Sequence, residues 1–166
     1  MKIQELIKSL SLIQQQDVDE LKGLVLDAEQ IIMLGNGGSN SICSHISQDY
    51  TKQLKKKSFT FSDPSRLTCY VNDYGVEYAY SNFLREFYTD DTLVVLISSS
   101  GNSQNILNCA KLCVKNNVKF IILSGFNKGN ELRKKYSKHA LMDIWVNSKD
   151  YGIVETVHQA FLHAIV

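Results

Sequence analysis

The chain has 166 residues, of which 44% are hydrophobic and 21% charged, and its formal charge is +1. A chain of this length buries enough apolar surface for one core, so we expect a single domain over residues 1–166. The near-neutral charge creates no field that would attract nucleic acid or an anionic membrane, and neither is expected as a partner. Four cysteines without CxxC spacing indicate neither a disulfide scaffold nor a cysteine-based zinc site, which favours the reducing cytoplasm.

Apolar residues at helical spacing open the chain, from Ile3 to Ala28, and predict an N-terminal helical segment over residues 1–29. Short apolar runs then predict strands at Ile31–Leu34, Phe59–Phe61, Leu93–Ile97, Phe120–Leu123 and Met142–Val146. Helical stretches between and after these runs are predicted at Ser39–Gln53, Val76–Tyr88, Ser103–Asn116, Asn130–Tyr136 and from Val154 to the end. Strand and helix therefore alternate after the first 29 residues.

The five apolar runs lack the alternation of a half-buried strand, which indicates strands that are covered on both faces. Buried strands that alternate with helices are typical of a parallel sheet between two helical layers. We therefore predict an α/β fold, a doubly wound three-layer sandwich with about five strands. In such sheets ligands bind at the carboxyl ends of the strands, near the point where the strand order reverses.

A glycine-rich turn, Gly35–Ser39, follows the first predicted strand and opens a helix. Glycine lets the backbone turn sharply and approach a ligand closely, and a helix N-terminus offers free N–H groups to an anion. A tight turn that binds nothing would use glycine as well, so this segment alone does not establish a site.

A serine-rich loop, Ser98–Ser103, follows the third predicted strand and precedes a helix. Four hydroxyl groups within six residues offer several donors to a phosphate group. One serine or asparagine is enough to cap a helix, so capping does not account for the whole cluster. The chain lacks the GxxxxGK[ST] pattern of a nucleoside triphosphatase and the GxGxxG pattern of dinucleotide binding.

Three segments together resemble the sugar isomerase (SIS) domain family, whose fold is flavodoxin-like: GNGGS at Gly35–Ser39, SSSGNSQN from Ser98, and LSG at Leu123–Gly125. Three further segments resemble bacterial phosphoheptose isomerases: His45 with Asp49 one turn later, NDYG from Asn72 to Gly75, and ExxHxxxxH from Glu155 to His163. The resemblance runs from about Ile3 to Val166.

The resemblance implies a set of site residues. It assigns substrate binding to Asn36, Gly37, Gly38, Ser39, Asn72, Asp73, Ser98, Ser99, Ser100, Ser103 and Glu155. The serines would bind mainly the phosphate group, and Asn72 and Asp73 the sugar hydroxyls. Asp49 would be the catalytic base and His163 its acid/base partner. One zinc ion per subunit would be bound by His45, Asp49, Glu155 and His163.

Two positions depart from the family pattern. Asp49 replaces a glutamate and is one methylene shorter, and Glu155 replaces a glutamine and adds a negative charge. Both residues keep an oxygen ligand, and two histidines with two carboxylates are a reasonable ligand set for zinc.

Spacing along the helices bears on this ligand set. His45 and Asp49 are four residues apart, which places them on one helix face. Glu155 and His163 are eight apart, about 12 Å along a straight helix, so they reach one ion only if long side chains converge, if the helix begins after Glu155, or if the site is shared between chains. His158 is expected to be either a core histidine or a hydrogen-bonded histidine at the edge of the site.

The implied activity is the aldose–ketose isomerisation of a phosphorylated sugar, namely sedoheptulose 7-phosphate to D-glycero-D-manno-heptose 7-phosphate, for lipopolysaccharide or capsule synthesis. A non-catalytic SIS module that senses sugar phosphates or associates with a replication initiator is the alternative. A third possibility is an aldose–ketose isomerase for another sugar phosphate. A homodimer or homotetramer is expected, with residues 1–29 at its interface.

Overall fold

A five-stranded parallel sheet forms the centre of the computed structural model, which describes residues 2–166. The strands are β1 (Gln30–Leu34), β2 (Lys57–Thr60), β3 (Thr92–Ser98), β4 (Lys119–Ser124) and β5 (Met142–Trp145). Their order in the sheet is β2-β1-β3-β4-β5, and every neighbouring pair is parallel. The sequence-based strand predictions are confirmed, because every predicted end lies within two residues of the observed end.

Within residues 2–166, eight α-helices surround the sheet. They are α1 (Ile3–Leu10), α2 (Gln15–Asp27), α3 (Gly38–Leu54), α4 (Pro64–Tyr74), α5 (Val76–Phe87), α6 (Gln104–Lys115), α7 (Glu131–Tyr136) and α8 (Tyr151–His163), with a 3-10 turn at Ser137–His139. In residues 2–166 no helix combines the length and hydropathy needed to cross a bilayer.

Successive residues of each central strand face opposite helical layers. Val95 of β3 joins the core on the side of α2, α3 and α8, whereas Val94 and Leu96 join the core on the side of α5 and α6. Strand side chains alternate between the two faces of a sheet. When both faces are buried, successive residues must all be apolar, and the apolar run shows no alternation. The predicted three-layer α/β fold is therefore confirmed.

The N-terminal segment is helical as predicted, but it forms two helices rather than one. The helices α1 and α2 are separated by residues 11–14. The second helix buries Val18, Leu21 and Val25 against the core, whereas α1 has no buried residue. Helical spacing alone predicts one continuous segment. The structure instead divides it into one helix that packs on the core and one that has no buried residue.

The helix α4 was missed in the sequence. Its N-terminus has a clear capping signal, because the Asp63 carboxylate accepts a hydrogen bond from the Arg66 N–H at 2.8 Å and Pro64 occupies the first turn. Its apolar residues Leu67, Tyr70 and Val71 also follow helical spacing, and they are only partly buried against the core.

The helix α8 begins at Tyr151, three residues before the predicted start. The Asp150 carboxylate accepts a hydrogen bond from the Ile153 N–H at 3.1 Å, which caps the helix at this earlier position. Glu155 therefore lies inside the same helix as His163, and the possibility that the helix begins after Glu155 is excluded.

His158 faces inward from α8 and is fully buried. Its Nε2 lies 3.1 Å from the Ser124 carbonyl oxygen on β4. A carbonyl only accepts, so Nε2 carries the proton and donates it. Burial lowers the pKa of His158 to about 4, although the hydrogen bond to Ser124 opposes this shift. The expectation of a core histidine is confirmed, and this histidine is also hydrogen-bonded.

His158 makes the stability of the fold depend on pH. Its pKa is 6.5 in the unfolded chain and about 4 in the folded one, so the unfolded chain binds the extra proton first as pH falls. The stabilisation is complete above pH 6.5 and is lost progressively toward pH 4. We expect the free energy of unfolding in urea to fall by about 2 kcal/mol between about pH 7.5 and about pH 5 from this group.

The variant His158→Gln isolates this contribution, because its amide can still donate to the Ser124 carbonyl but does not titrate. Its pH dependence should be shallower than that of the wild type, whereas His139→Gln at an exposed position should leave the dependence unchanged. Equal pH dependence in wild type and His158→Gln would contradict the assignment.

Candidate active site

The loops after β1 and β3 lie side by side at the carboxyl edge of the sheet. From β1 the chain crosses to β2 on one side, and then returns to β3 on the other side of β1. The carboxyl ends of β1 and β3 are therefore the point where the winding direction reverses, which is where doubly wound sheets bind ligands. The glycine-rich turn Gly35–Ser39 and the serine loop Ser98–Ser103 both begin there.

The glycine-rich turn owes its shape to two glycines. Gly37 adopts a φ of 54°, a left-handed conformation that favours glycine. At Gly38, the first residue of α3, a Cβ atom would overlap the carboxylate of Glu155 on α8. The absence of a side chain at Gly38 therefore allows Glu155 to lie directly against the N-terminus of α3.

Side chains from the opposite layer fix the same turn. The Tyr80 hydroxyl on α5 donates to the Gly35 carbonyl at 3.1 Å. Asn105 on α6 donates to the side-chain oxygen of Asn36 at 2.7 Å and accepts from the Asn36 amide at 2.9 Å. Burial raises the pKa of Tyr80 to about 12, so its hydroxyl stays protonated and remains a donor at neutral pH.

The serine loop is ordered by its own hydroxyl groups. Ser98 Oγ accepts from the Gly101 N–H at 3.2 Å and donates to Ser103 Oγ at 3.3 Å. Ser100 Oγ accepts from the Asn102 N–H at 3.2 Å. Ser103 is the N-cap of α6, and its Oγ is the acceptor in the bond from Ser98, so its own proton is available to a ligand. The loop thus presents hydroxyl groups at a helix N-terminus.

A pocket of about 120 Å³ lies between the two loops. Its lining consists of Asn36, Ser39, Ile97, Ser98, Ser99, Ser100, Ser103, Tyr151 and Glu155. The N-termini of α3 and α6 both adjoin it, and helix N-termini favour anions. The pocket is smaller than a typical small-molecule site, which suits a phosphate-sized group rather than a whole sugar.

A second pocket, of about 420 Å³, adjoins the first at Glu155. Glu155 lines both pockets, and Gly38 and His45 line the wider one. Glu155 is partly buried, and its burial raises the pKa of its carboxyl group above the ordinary value. The two adjoining pockets, which share Glu155, are together called the cleft below.

His45, Asp49 and His163 come together beside this cleft. Asp49 Oδ2 lies 2.9 Å from His163 Nε2 and 3.4 Å from His45 Nε2. The two imidazole rings stand edge to face with their centroids 5.0 Å apart. One ligand atom from each of the three residues lies within 4.8 Å of the others, so the group could hold a metal ion.

Three of the predicted site residues do not lie with the partners expected for them. Glu155 lies two turns before His163 on α8 and does not belong to the group of potential ligands that His45, Asp49 and His163 form. Asn72 and Asp73 lie exposed at the end of α4, where the Asn72 amide donates to the Asp73 carboxylate, and neither lines the two pockets.

Sequence reasoning missed two residues that shape the site. Tyr151 lines the smaller pocket and lies four residues before Glu155, a spacing that places both on one face of α8. Asn105 belongs to the serine-rich motif and is almost fully buried, but no role was assigned to it. The four-residue spacing could have identified Tyr151, whereas the partner of Asn105 lies 69 residues away.

Comparison with known proteins identifies relatives over most of the chain, although no family model matches the sequence. The phosphoheptose isomerase of Campylobacter concisus is 30% identical over 166 residues, which cover 96% of this chain and 83% of that protein. The phosphoheptose isomerase of Fusobacterium nucleatum is 26% identical over 152 residues, which cover 89% of this chain and 76% of that protein.

Solved structures agree with the sequence comparison at the level of the fold. The phosphoheptose isomerase from Neisseria gonorrhoeae matches with a TM-score of 0.85 at 23% identity, over 98% of this chain and 92% of that chain. The five-stranded parallel sheet and its flanking helices are thus those of a SIS domain. Given this fold and relatives that are up to 30% identical over nearly the whole chain, the chain belongs to the phosphoheptose isomerase family.

Proposed function

We propose that the chain catalyses the aldose–ketose isomerisation of a phosphorylated sugar, with sedoheptulose 7-phosphate as substrate and D-glycero-D-manno-heptose 7-phosphate as product. The observation that carries this proposal is that a pocket lined by hydroxyl groups shares Glu155 with a wider pocket, and that the wider pocket is lined by His45, which lies next to Asp49 and His163. A phosphosugar needs both features, because its phosphate must be bound while a proton moves between two neighbouring carbons. The product would serve surface polysaccharide synthesis in the cytoplasm.

The serine end is suited to the phosphate group. Ser98, Ser99, Ser100 and Ser103 line the smaller pocket together with Ser39. Hydroxyl groups and helix N-termini stabilise an anion without a fixed positive charge. The sugar would then extend past Gly38 and Glu155 into the wider pocket, toward His45.

The group of His45, Asp49 and His163, which adjoins the wider pocket through His45, is suited to proton transfer. Asp49 Oδ2 faces both imidazoles, and among residues 2–166 Asp49 Oδ1 has no hydrogen-bond partner. We assign Oδ1 to the removal of a proton from the carbon next to the carbonyl and to its return to the former carbonyl carbon. His163 would give a proton to the carbonyl oxygen and take one from the neighbouring hydroxyl, so the enediol forms and collapses without net gain of protons.

Asp49 is the residue on which this chemistry depends most. Asp49→Asn should lower kcat by at least about a hundredfold on sedoheptulose 7-phosphate, because an amide cannot accept the proton. Affinity for the substrate, measured by calorimetry, should change little because the serine loop is separate. Asp49→Glu, which restores the length usual in the family, should retain or raise the turnover.

The matched control is Asp143→Asn. Asp143, on the edge strand β5, pairs with Arg133, lines neither pocket of the cleft and does not belong to the group of potential metal ligands. Full turnover by Asp49→Asn in an active protein would show that the base is another residue. No turnover of any sugar phosphate by wild type or Asp49→Glu would instead favour the non-catalytic SIS module.

We also propose that His45, Asp49 and His163 hold a zinc ion. Two imidazole nitrogens and a carboxylate oxygen are the donors of many catalytic zinc sites. Zinc bonds of about 2.0–2.1 Å in tetrahedral geometry place two ligand atoms about 3.3 Å apart. The observed separations of 2.9 and 3.4 Å are compatible with this value. A bound zinc ion would polarise the substrate carbonyl in place of proton donation by His163, because an imidazole nitrogen that binds the metal carries no proton.

Glu155 remains a proposed fourth ligand or substrate contact. From its place two turns before His163, it would reach the ion of the same chain only through a long extension of its side chain. A site shared between two subunits would remove this requirement. Its position against Gly38 and in both pockets supports the role of substrate contact.

Metal content tests the zinc proposal directly. Elemental analysis of protein purified without chelator should give about one zinc ion per chain, and His45→Ala should lose most of it. The variant His139→Ala, which changes an exposed histidine outside the group, should keep the metal. Zinc content that is equal in wild type and His45→Ala, or absent even after zinc is added back, would contradict the proposal.

Self-association is the last part of the proposal. The helix α1 exposes Ile3 and Ile7, which are 60% and 53% accessible, and Leu12 after it is 62% accessible. Apolar side chains that are this exposed and adjacent in the chain are typical of an interface. We propose that residues 1–29 pair with a second copy, in a homodimer or homotetramer.

Light scattering tests the assembly. At micromolar concentration the wild type should have the mass of a dimer or tetramer, and Ile7→Glu should shift it to a smaller species because a buried charge opposes association. Leu141→Glu, at a 44% accessible position before β5, provides the control. A wild-type monomer would contradict the assembly and any site shared between chains.

A further inference from the structure

Asn36 and Asn105 form a closed pair of side-chain amides between the two loops of the cleft. Each amide donates one hydrogen bond to the other, at 2.9 and 2.7 Å. The two residues differ in burial, because Asn36 is exposed in the glycine-rich turn whereas Asn105 is only 6% accessible on α6. A buried amide thus holds an exposed one that lines the smaller pocket.

The orientation of this pair is fixed from the α6 side. Asn105 Oδ1 also accepts a hydrogen bond from the Ile106 backbone N–H at 3.1 Å. A backbone N–H can only donate, so the oxygen of Asn105 must face it and the amide of Asn105 cannot turn over. The orientation of the Asn36 amide is then fixed as well. If it were reversed, its N–H would face the Asn105 N–H and its oxygen would face the Asn105 oxygen.

The pair leaves Asn36 with a defined capacity for further hydrogen bonds. An asparagine amide has two N–H groups and two lone pairs on its oxygen, and the pair uses one of each. One N–H and one lone pair remain, on opposite flanks of the Asn36 amide. A substrate in the pocket therefore meets an amide whose remaining donor and acceptor have fixed places.

We propose that Asn105 is a positioning residue of the isomerase, which acts on the substrate only through the orientation of Asn36. This inference rests on the proposed function in assigning the substrate. The amide pair itself does not depend on that function, because it requires only the hydrogen bonds between α6 and the turn after β1.

The substitution Asn105→Asp separates positioning from a structural role. An aspartate at the second position of α6 still accepts from the Ile106 N–H, and its charge is favourable at a helix N-terminus. It cannot donate to Asn36 Oδ1. We therefore expect Asn105→Asp to keep the stability of the wild type but to lose about tenfold in kcat/KM, as Asn105→Ala should.

The background Asn36→Ala shows whether the effect passes through Asn36. If Asn105 acts only on Asn36, then Asn105→Asp and Asn105→Ala cause no further loss in kcat/KM once Asn36 is alanine. If the loss in kcat/KM instead comes from repulsion between the new carboxylate and the substrate phosphate, it will persist in the Asn36→Ala background. Such a persistent loss would overturn the inference. Full activity of Asn105→Asp in the otherwise wild-type chain would overturn it as well.

Asn108→Ala is the matched control. Asn108 lies one turn later on α6, and its amide makes two hydrogen bonds, to the Glu77 carbonyl and from the Gln104 side chain. It lines neither pocket of the cleft, so kcat/KM should stay within about twofold of the wild type.

Nuclear magnetic resonance gives a readout that does not need activity. In the wild type the side-chain N–H signals of Asn36 should be well dispersed and protected from exchange, and Asn105→Ala should abolish both properties while Asn108→Ala retains them. Unchanged Asn36 signals in Asn105→Ala would overturn the inference. If the wild type lacks isomerase activity while the Asn36 signals respond as expected, the proposed reaction fails and the positioning of Asn36 stands.

Discussion

The parallel pairing of β1 with β3 is the constraint on which the site depends. Ile32 and Leu34 of β1 lie in register with Val94 and Leu96 of β3, and the four side chains share the core on the α5 and α6 side. The two strands are 62 residues apart at their aligned first residues, because β2 and three helices intervene in the sequence. Without this pairing the glycine-rich turn and the serine loop would have no reason to meet.

Side chains from both helical layers contact the glycine-rich turn. Tyr80 and Asn105 reach it from α5 and α6, while Glu155 reaches it from α8 on the opposite side of the sheet. A loop on the surface is usually the mobile part of a fold, but a loop with contacts to both layers has few free dihedral angles. Preorganisation of this kind lowers the entropy that a ligand must otherwise remove on binding.

Features that depend on residues close together in the sequence could be predicted, whereas contacts between residues far apart in the sequence could not. The strands were predictable because burial on both faces leaves an uninterrupted apolar run such as Leu93–Ile97, and the loops were predictable because ligand sites follow parallel strands. The helix α4 carried local signals at Asp63 and Pro64 that were not used. The group of His45, Asp49 and His163 was proposed only through family resemblance, since Asp49 and His163 are 114 residues apart. Asn105 was missed for the same physical reason.

The lining of the smaller pocket has a consequence for how ionic strength should act on binding. Among its lining residues Glu155 is the only carboxylate, and no lysine or arginine is present. Attraction to a phosphate then comes from hydroxyl and backbone dipoles at contact distance, which dissolved ions screen poorly. The repulsion between Glu155 and the phosphate acts between two full charges beside open solvent, where mobile ions screen it well. Added salt should therefore leave the affinity unchanged or increase it, the reverse of the behaviour of a phosphate site built from basic side chains.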